Sequence, residues 1–178
     1  MQRLGSRTVY DGKLAKVRLE EFRYADGGTA EREVVGHPGA VAVVAHDGAS
    51  VYLVRQPREP VDEPDLLELP AGKLDVEGET RLECAQRELA EEIGRGAAAW
   101  RELKRLYPSP GILEEEVTLF LATDLSDASA EADDDERLEV VPYPLDRIDD
   151  AIEECRDGKS LIGLLLFRAE LRAGDGGA

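Results

Sequence analysis

The order of apolar and polar positions along the chain separates a strand-rich first third from a later part that carries helices. Two-residue alternation is plainest in Ala15–Phe22, which lies between turn signals at Asp11-Gly12 and Asp26-Gly27-Gly28. With Thr8–Tyr10 before it and Glu31–Val35 after it, this pattern predicts a small antiparallel β unit of two hairpins over residues 1–36. After His37-Pro38-Gly39 the alternation gives way to an unbroken apolar run, Ala40–Ala45, of the kind buried on both faces. A turn at Asp47-Gly48 leads to its partner strand, Ser50–Val54.

The longest helix the spacing predicts runs from Thr80 to Ile93. Thr80, with Glu83 three residues on, has the form of a capping box, and Gly94 stops the helix. Leu82, Ala85, Leu89 and Ile93 recur at helical spacing as one apolar stripe. Trp100–Tyr107 and Val117–Thr123 read as further strands, Ser126–Arg137 as a polar, acidic loop, and Leu138–Tyr143 as a strand. Two helices follow, about Leu145–Cys155 and Ser160–Leu171, the second presenting Leu161, Leu164, Leu165 and Ala169. The remaining residues, 173–178, read as a frayed tail. Strands on both sides of a carboxylate-bearing helix predict an α/β sandwich with a mixed sheet over residues 37–172.

Composition narrows the partners. At 178 residues and 42% apolar content, the chain suits one core domain with a small N-terminal addition. No stretch approaches the roughly 18 apolar residues of a membrane span, and no apolar signal region opens the chain, so a cytoplasmic location is expected. Asp and Glu number 39 against 22 Lys and Arg, a formal charge of −17. That balance argues against nucleic acid and anionic membranes as partners, since both reward basic surfaces. Cys84 and Cys155 have no CxxC spacing and are expected as free thiols; His37 and His46 are too sparse for a histidine metal site. Any metal would be a hard cation on carboxylates, such as magnesium, manganese or calcium.

Candidate chemistry gathers between Gly72 and Gly94. Glu88, Glu91 and Glu92 occupy a helical sector beside the apolar stripe, with Glu88 and Glu92 one turn apart. Like charges at that spacing cost an isolated helix about 0.2–0.5 kcal/mol, and a divalent cation between them converts repulsion into ligation. Arg87 and Glu91 are spaced to pair. Taken alone, the Glu pairs also fit a solvated acidic face in a protein that is acidic throughout.

The surroundings decide between these readings. The run Gly72-Lys73-Leu74-Asp75-Val76-Glu77-Gly78-Glu79, then after seven residues Arg87-Glu88-Leu89-Ala90-Glu91-Glu92-Ile93-Gly94, closely resembles the Nudix box. That signature is Gly, five residues, Glu, seven residues, then Arg-Glu-apolar-x-Glu-Glu-x-Gly and an apolar residue. The first gap here holds six residues, and Arg95 stands at the closing apolar position. The resemblance implies a Nudix α/β/α sandwich and hydrolysis of a nucleoside diphosphate derivative with Mg²⁺ or Mn²⁺, two or three ions per site. It makes Glu88, Glu91 and Glu92 metal ligands, joined by the Ala71 carbonyl.

Features outside the box are similar to the ADP-ribose pyrophosphatase subgroup of that family: Asp11-Gly12-Lys13, the run Glu33–Val41, Val54–Arg58 before Glu68–Gly72, and Ser109-Pro110-Gly111. The subgroup usually has an acid where Gly36 stands here. The likeness implies substrate contacts by Arg58, Glu68, Pro110 and Gly111, with Arg58 on the phosphates. A surface ion pair of Arg58 with Glu59 or Asp62 is the competing reading. It also implies a catalytic carboxylate in the acidic loop, at Asp134, and a second acid, Glu136, that reaches a metal; Glu136 or Asp135 are alternatives for the base, and Glu91 shares the catalytic set. Exchanged N-terminal strands imply a homodimer. The expected reaction is cleavage of ADP-ribose to AMP and ribose 5-phosphate. Hydrolysis of another nucleotide sugar, such as a GDP-sugar, and a non-catalytic ADP-ribose sensor are the alternatives.

Overall fold

The computed structural model describes residues 1–13, 15–129 and 137–175. They fall into two compact units, one made of Met1–Gly39 with Leu106–Glu116, the other of Ala40–Arg105 with Val117–Ala178.

In the first unit, β1 (Gln2–Asp11), β2 (Lys16–Arg23) and β3 (Thr29–Gly36) form an antiparallel sheet in that order. Both hairpin turns stand where the sequence puts them. At the second, Asp26 Oδ1 accepts from the Gly28 N–H (3.0 Å) and Gly27 takes φ +86°, open to glycine without strain. β1 is longer than its alternation suggests, because pairing with β2 continues from Asp11–Lys16 back to Gln2–Arg23. The unit also outgrows the predicted boundary at residue 36. The Val35 N–H donates to the Ile112 carbonyl (2.8 Å) and its carbonyl accepts from Glu114 N–H (2.9 Å), which ties Leu106–Glu116 to β3. Glu20 is buried here between Arg3 and Arg18, each guanidinium Nε at 3.0 Å.

The second unit is built on a mixed sheet. Its strands are β4 (Ala40–His46), β5 (Ser50–Arg58), β6 (Glu63–Glu68), β7 (Ala71–Lys73), β8 (Arg95–Leu106), β9 (Val117–Asp127) and β10 (Glu139–Pro144). They run in the order β10-β5-β4-β9-β8, with β6 on β5 and β7 on β4. β4 and β9 are parallel, while β4–β7, β5–β6 and β5–β10 are antiparallel. Central β4 is buried throughout except at His46, which explains its unbroken apolar run. Val41, Val43 and Ala45 face α1 (Arg81–Ile93) with Phe120 and Ala122. On the opposite face Val44 and Leu119 meet α3 (Gly158–Asp175). The short α2 (Ile148–Glu154) follows a single 3-10 turn at Leu145–Arg147, so the predicted Leu145–Cys155 helix is split.

Two helix faces differ from expectation. On α1 the buried residues are Cys84, Ala85, Glu88, Leu89 and Glu92. Leu82, about a quarter turn from the centre of that face, is 38% exposed. On α3 the buried line is Ser160, Leu164 and Phe167, and Leu165 and Ala169 are exposed. Gly163 lies on this line: a Cβ there would stand 2.5 Å from Leu69 Cδ1 and 3.2 Å from Val44 Cγ2, so a larger residue would have to displace the Leu69 side chain. α3 also continues through Asp175, taking in three residues of the tail read as frayed. No described helix is long and apolar enough to cross a membrane. Both cysteines are free and buried.

Candidate active site

The carboxylates of α1 are placed by that helix's two ends. Thr80 Oγ1 accepts from Glu83 N–H (3.2 Å) while Glu83 Oε2 accepts from Thr80 N–H (2.8 Å), the reciprocal box expected from sequence. Gly94, at φ +70°, closes the other end in the left-handed region. The thirteen residues between turn Glu88 and Glu92, 8% and 7% exposed, toward β7.

Buried carboxylates require partners, and these have them. Arg87 is the hub. It grips Glu79 in a fork, Nε to Oε1 at 2.8 Å and Nη2 to Oε2 at 3.1 Å, and its Nη1 donates at 2.8 Å to both Glu88 Oε1 and Glu91 Oε2. The Glu79 bond and the flanking charges hold the guanidinium's pKa well above its ordinary value. The same fork, led by its hydrogen bonds, lowers that of Glu79. Glu92 Oε2 accepts from the Ala71 N–H at 3.1 Å. Beneath them burial, with Glu79 and Glu88 adding, pushes the Cys84 thiol up to about 12.

Glycine at position 72 is required by this packing. A Cβ on Gly72 would lie 1.8 Å from Glu88 Oε1 and 1.9 Å from its carboxyl carbon. β7 and α1 therefore form a cradle that only a residue without a side chain leaves open.

These groups line one wall of a cavity of about 820 Å³. Ala71, Gly72, Glu88, Glu91 and Glu92 all line it, as does Arg58 from the end of β5. Gln56, Glu59, Lys73, Asp75, Arg87 and Arg137 complete much of its surface, and none of these is in the predicted site set. Lys73, Asp75 and Arg87 lie in the motif run, Arg87 at one of its fixed positions, and Gln56 in the Val54–Arg58 stretch, whereas Glu59 and Arg137 carry no sequence signal toward the cavity. Among the described residues, five carboxylates (Glu59, Asp75, Glu88, Glu91, Glu92) and four cations (Arg58, Lys73, Arg87, Arg137) line it.

The remaining predicted residues are distributed as follows. Arg58 pairs with Glu68 instead of Glu59 or Asp62: Nε to Oε1 at 2.5 Å and Nη2 to Oε2 at 3.0 Å. The reason is burial, since Glu68 is 1% exposed and needs a charge partner that the two solvated acids do not. Glu68 lines a second hollow, about 390 Å³, which also contains Arg58. Pro110 and Gly111 belong to the first unit, in the segment bonded to β3. Asp133, Asp134, Asp135 and Glu136 lie outside the described residues. Arg95, which departs from the apolar pattern, lies with its guanidinium carbon 5.7 Å from the Tyr52 ring centre and pairs with Asp127.

The donors suit a hard divalent cation: carboxylate oxygens beside a glycine cradle, with backbone of Ala71 at the same wall. Among the described residues no three Asp, Glu, His or Cys side chains converge on a common point. That follows from the bonds above, in which Glu88 and Glu91 turn to Arg87 and Glu92 turns to Ala71.

Comparison with known proteins identifies the family. The NUDIX domain model matches residues 36–160. An ADP-ribose pyrophosphatase of Bacillus subtilis (strain 168) is 38% identical over 141 residues, 78% of this chain and 75% of that protein. An ADP-ribose pyrophosphatase of Mycobacterium tuberculosis (strain ATCC 25618 / H37Rv) is 42% identical over 123 residues, 68% of this chain and 59% of that one. The crystal structure of an ADP compounds hydrolase superposes with a TM-score of 0.85 at 28% identity, covering 97% of this chain and 95% of the other. The expected α/β fold with a mixed sheet is therefore matched as well as the motif, and the chain belongs to the NUDIX domain family of hydrolases.

Proposed function

We propose that this chain hydrolyses the pyrophosphate of ADP-ribose, giving AMP and ribose 5-phosphate. The observation that carries the reading is the cavity in which Glu88, Glu91 and Glu92 meet Gly72 and Arg58, in a chain 38% and 42% identical to two ADP-ribose pyrophosphatases. Mg²⁺ or Mn²⁺, two or three ions held by Glu88, Glu91, Glu92, Glu136 and the Ala71 carbonyl, would neutralise pyrophosphate charge and lower the pKa of water.

The chain's own residues do the rest. Arg58 binds a phosphate. Glu68 occupies its Nε and Nη2 edge, so the phosphate takes the Nη1 side, with charge assistance. Arg87 restrains the Glu88 and Glu91 carboxylates, which would be the groups to hold the cations. Asp134 takes the proton of the attacking water, with Asp135 and Glu136 the alternatives; the lining of the cavity by Arg137, next in the chain, supports a base from this loop. The protein is cytoplasmic and acts as a homodimer through exchanged N-terminal strands, with Pro110 and Gly111 contacting substrate.

A screen in which a phosphatase, added after the reaction is quenched, frees phosphate from the monoester products tests the substrate. ADP-ribose, GDP-mannose, NADH and diadenosine polyphosphates are each offered with Mg²⁺ and with Mn²⁺. ADP-ribose is expected to show the highest kcat/KM, and no release without added metal. A higher value for GDP-mannose would move the assignment to a GDP-sugar; binding of ADP-ribose without turnover would make the chain a sensor.

A further inference from the structure

A buried ionic cluster stands behind Arg58. Glu68 Oε2, which receives Arg58 Nη2, also receives Lys159 Nζ at 2.5 Å. Lys159, its side chain 16% exposed, reaches Asp157 Oδ2 at 2.9 Å as well. Asp157 in turn caps α3, accepting from Ser160 N–H (3.0 Å) and from its hydroxyl (2.5 Å). The Ser160 Oγ accepts from the Leu69 N–H at 2.7 Å. The first turn of α3 therefore grips two consecutive residues at the end of β6, Glu68 by charge and Leu69 by a hydroxyl.

Stability alone is a poor reason for such a cluster, because desolvating charges offsets most of their attraction and apolar replacements often do as well. Its geometry points at the cavity instead. A carboxylate pinned at Oε2 by Lys159 has no rotational freedom left, and a fork bonded to both oxygens of a fixed carboxylate is fixed in plane. Burial works against the charge on Lys159, yet the facing Asp157 and Glu68 outweigh it and keep the amine protonated.

We infer that Lys159 is a positioning residue, setting through Glu68 the plane in which the Arg58 guanidinium meets a phosphate in the active cavity. The inference rests on the reading of Arg58 as the phosphate-binding residue. Nothing in the motif points to it, since Lys159 stands 65 residues beyond Gly94.

A double-mutant cycle on kcat/KM for ADP-ribose tests it, with thermal melts recorded beside the kinetics. Arg58→Ala is expected to lower kcat/KM by about 10²-fold and Lys159→Met by about tenfold, the latter mainly through KM. Combined, they should cost no more than Arg58→Ala alone, because Lys159 acts only through the group removed. Lys159→Arg, which restores the charge, should recover kcat/KM to within about threefold of wild type. A double mutant that loses the product of the two single losses, about 10³-fold, would make Lys159 a structural residue and overturn the inference. An unchanged Arg58→Ala would instead remove the phosphate reading on which it rests. Should Lys159→Met not fold, Lys159→Gln, nearer in polarity and still a donor, carries the same cycle to the same two outcomes.

Discussion

Gly72 and Glu88 make the sharpest case at the scale of single residues. The atoms a Gly72 Cβ would meet are all in the Glu88 side chain, from Cγ to Oε1, which can swing away without moving backbone. Gly72→Ala should therefore fold with a melting temperature within a few degrees of wild type while kcat falls by about 10²-fold, as for the loss of one well-placed charged group. Circular dichroism melts and steady-state rates check this; a stability loss matched by unchanged kcat would detach Glu88 from the chemistry. The requirement for glycine was present in the motif as a fixed letter. Its physical reason was not legible, because it depends on β7 pairing with β4 and so facing α1. Arg58 shows the converse. Sequence offered it Glu59 and Asp62 as nearby charges, and the fold gave it Glu68, ten residues away across the β5–β6 pair.

Among elements, α1 was the most legible. Its capping box, its glycine stop and the sector of its carboxylates all follow from local rules that tertiary structure did not override. The stripe beside them was read a quarter turn off, because the burial of Glu88 and Glu92 against β7 shifts the inward face away from Leu82. On α3, Leu164 faces inward as its spacing predicts, while Leu165 and Ala169 stay exposed because Gly163 and Ser160 share the contact line. β1 presents the opposite situation, a ten-residue strand with every residue exposed, Leu4, Val9 and Tyr10 among them. An exposed edge of that length is normally covered. Light scattering should give twice the chain mass for the intact protein and a single chain mass after removal of Met1–Asp11. A monomeric intact protein would remove the strand-exchange proposal and leave the chemistry of the second unit standing.

For the whole molecule, the charge of −17 describes an acidic surface and names no ligand. Most acids are solvated or paired at the surface, as Asp149 is with Arg168 and Arg172. Spacing singled out Glu88, Glu91 and Glu92, and the fold brings them to one cavity with Arg58, Lys73 and Arg137 among the described residues. The most direct measurement of this account is product analysis of ADP-ribose with Mg²⁺, wild type against Glu92→Gln. Wild type should yield AMP and ribose 5-phosphate in equal amounts, and Glu92→Gln should lower that rate by at least about 10²-fold. Equal rates for the two proteins, or no AMP from wild type with either metal, would contradict it.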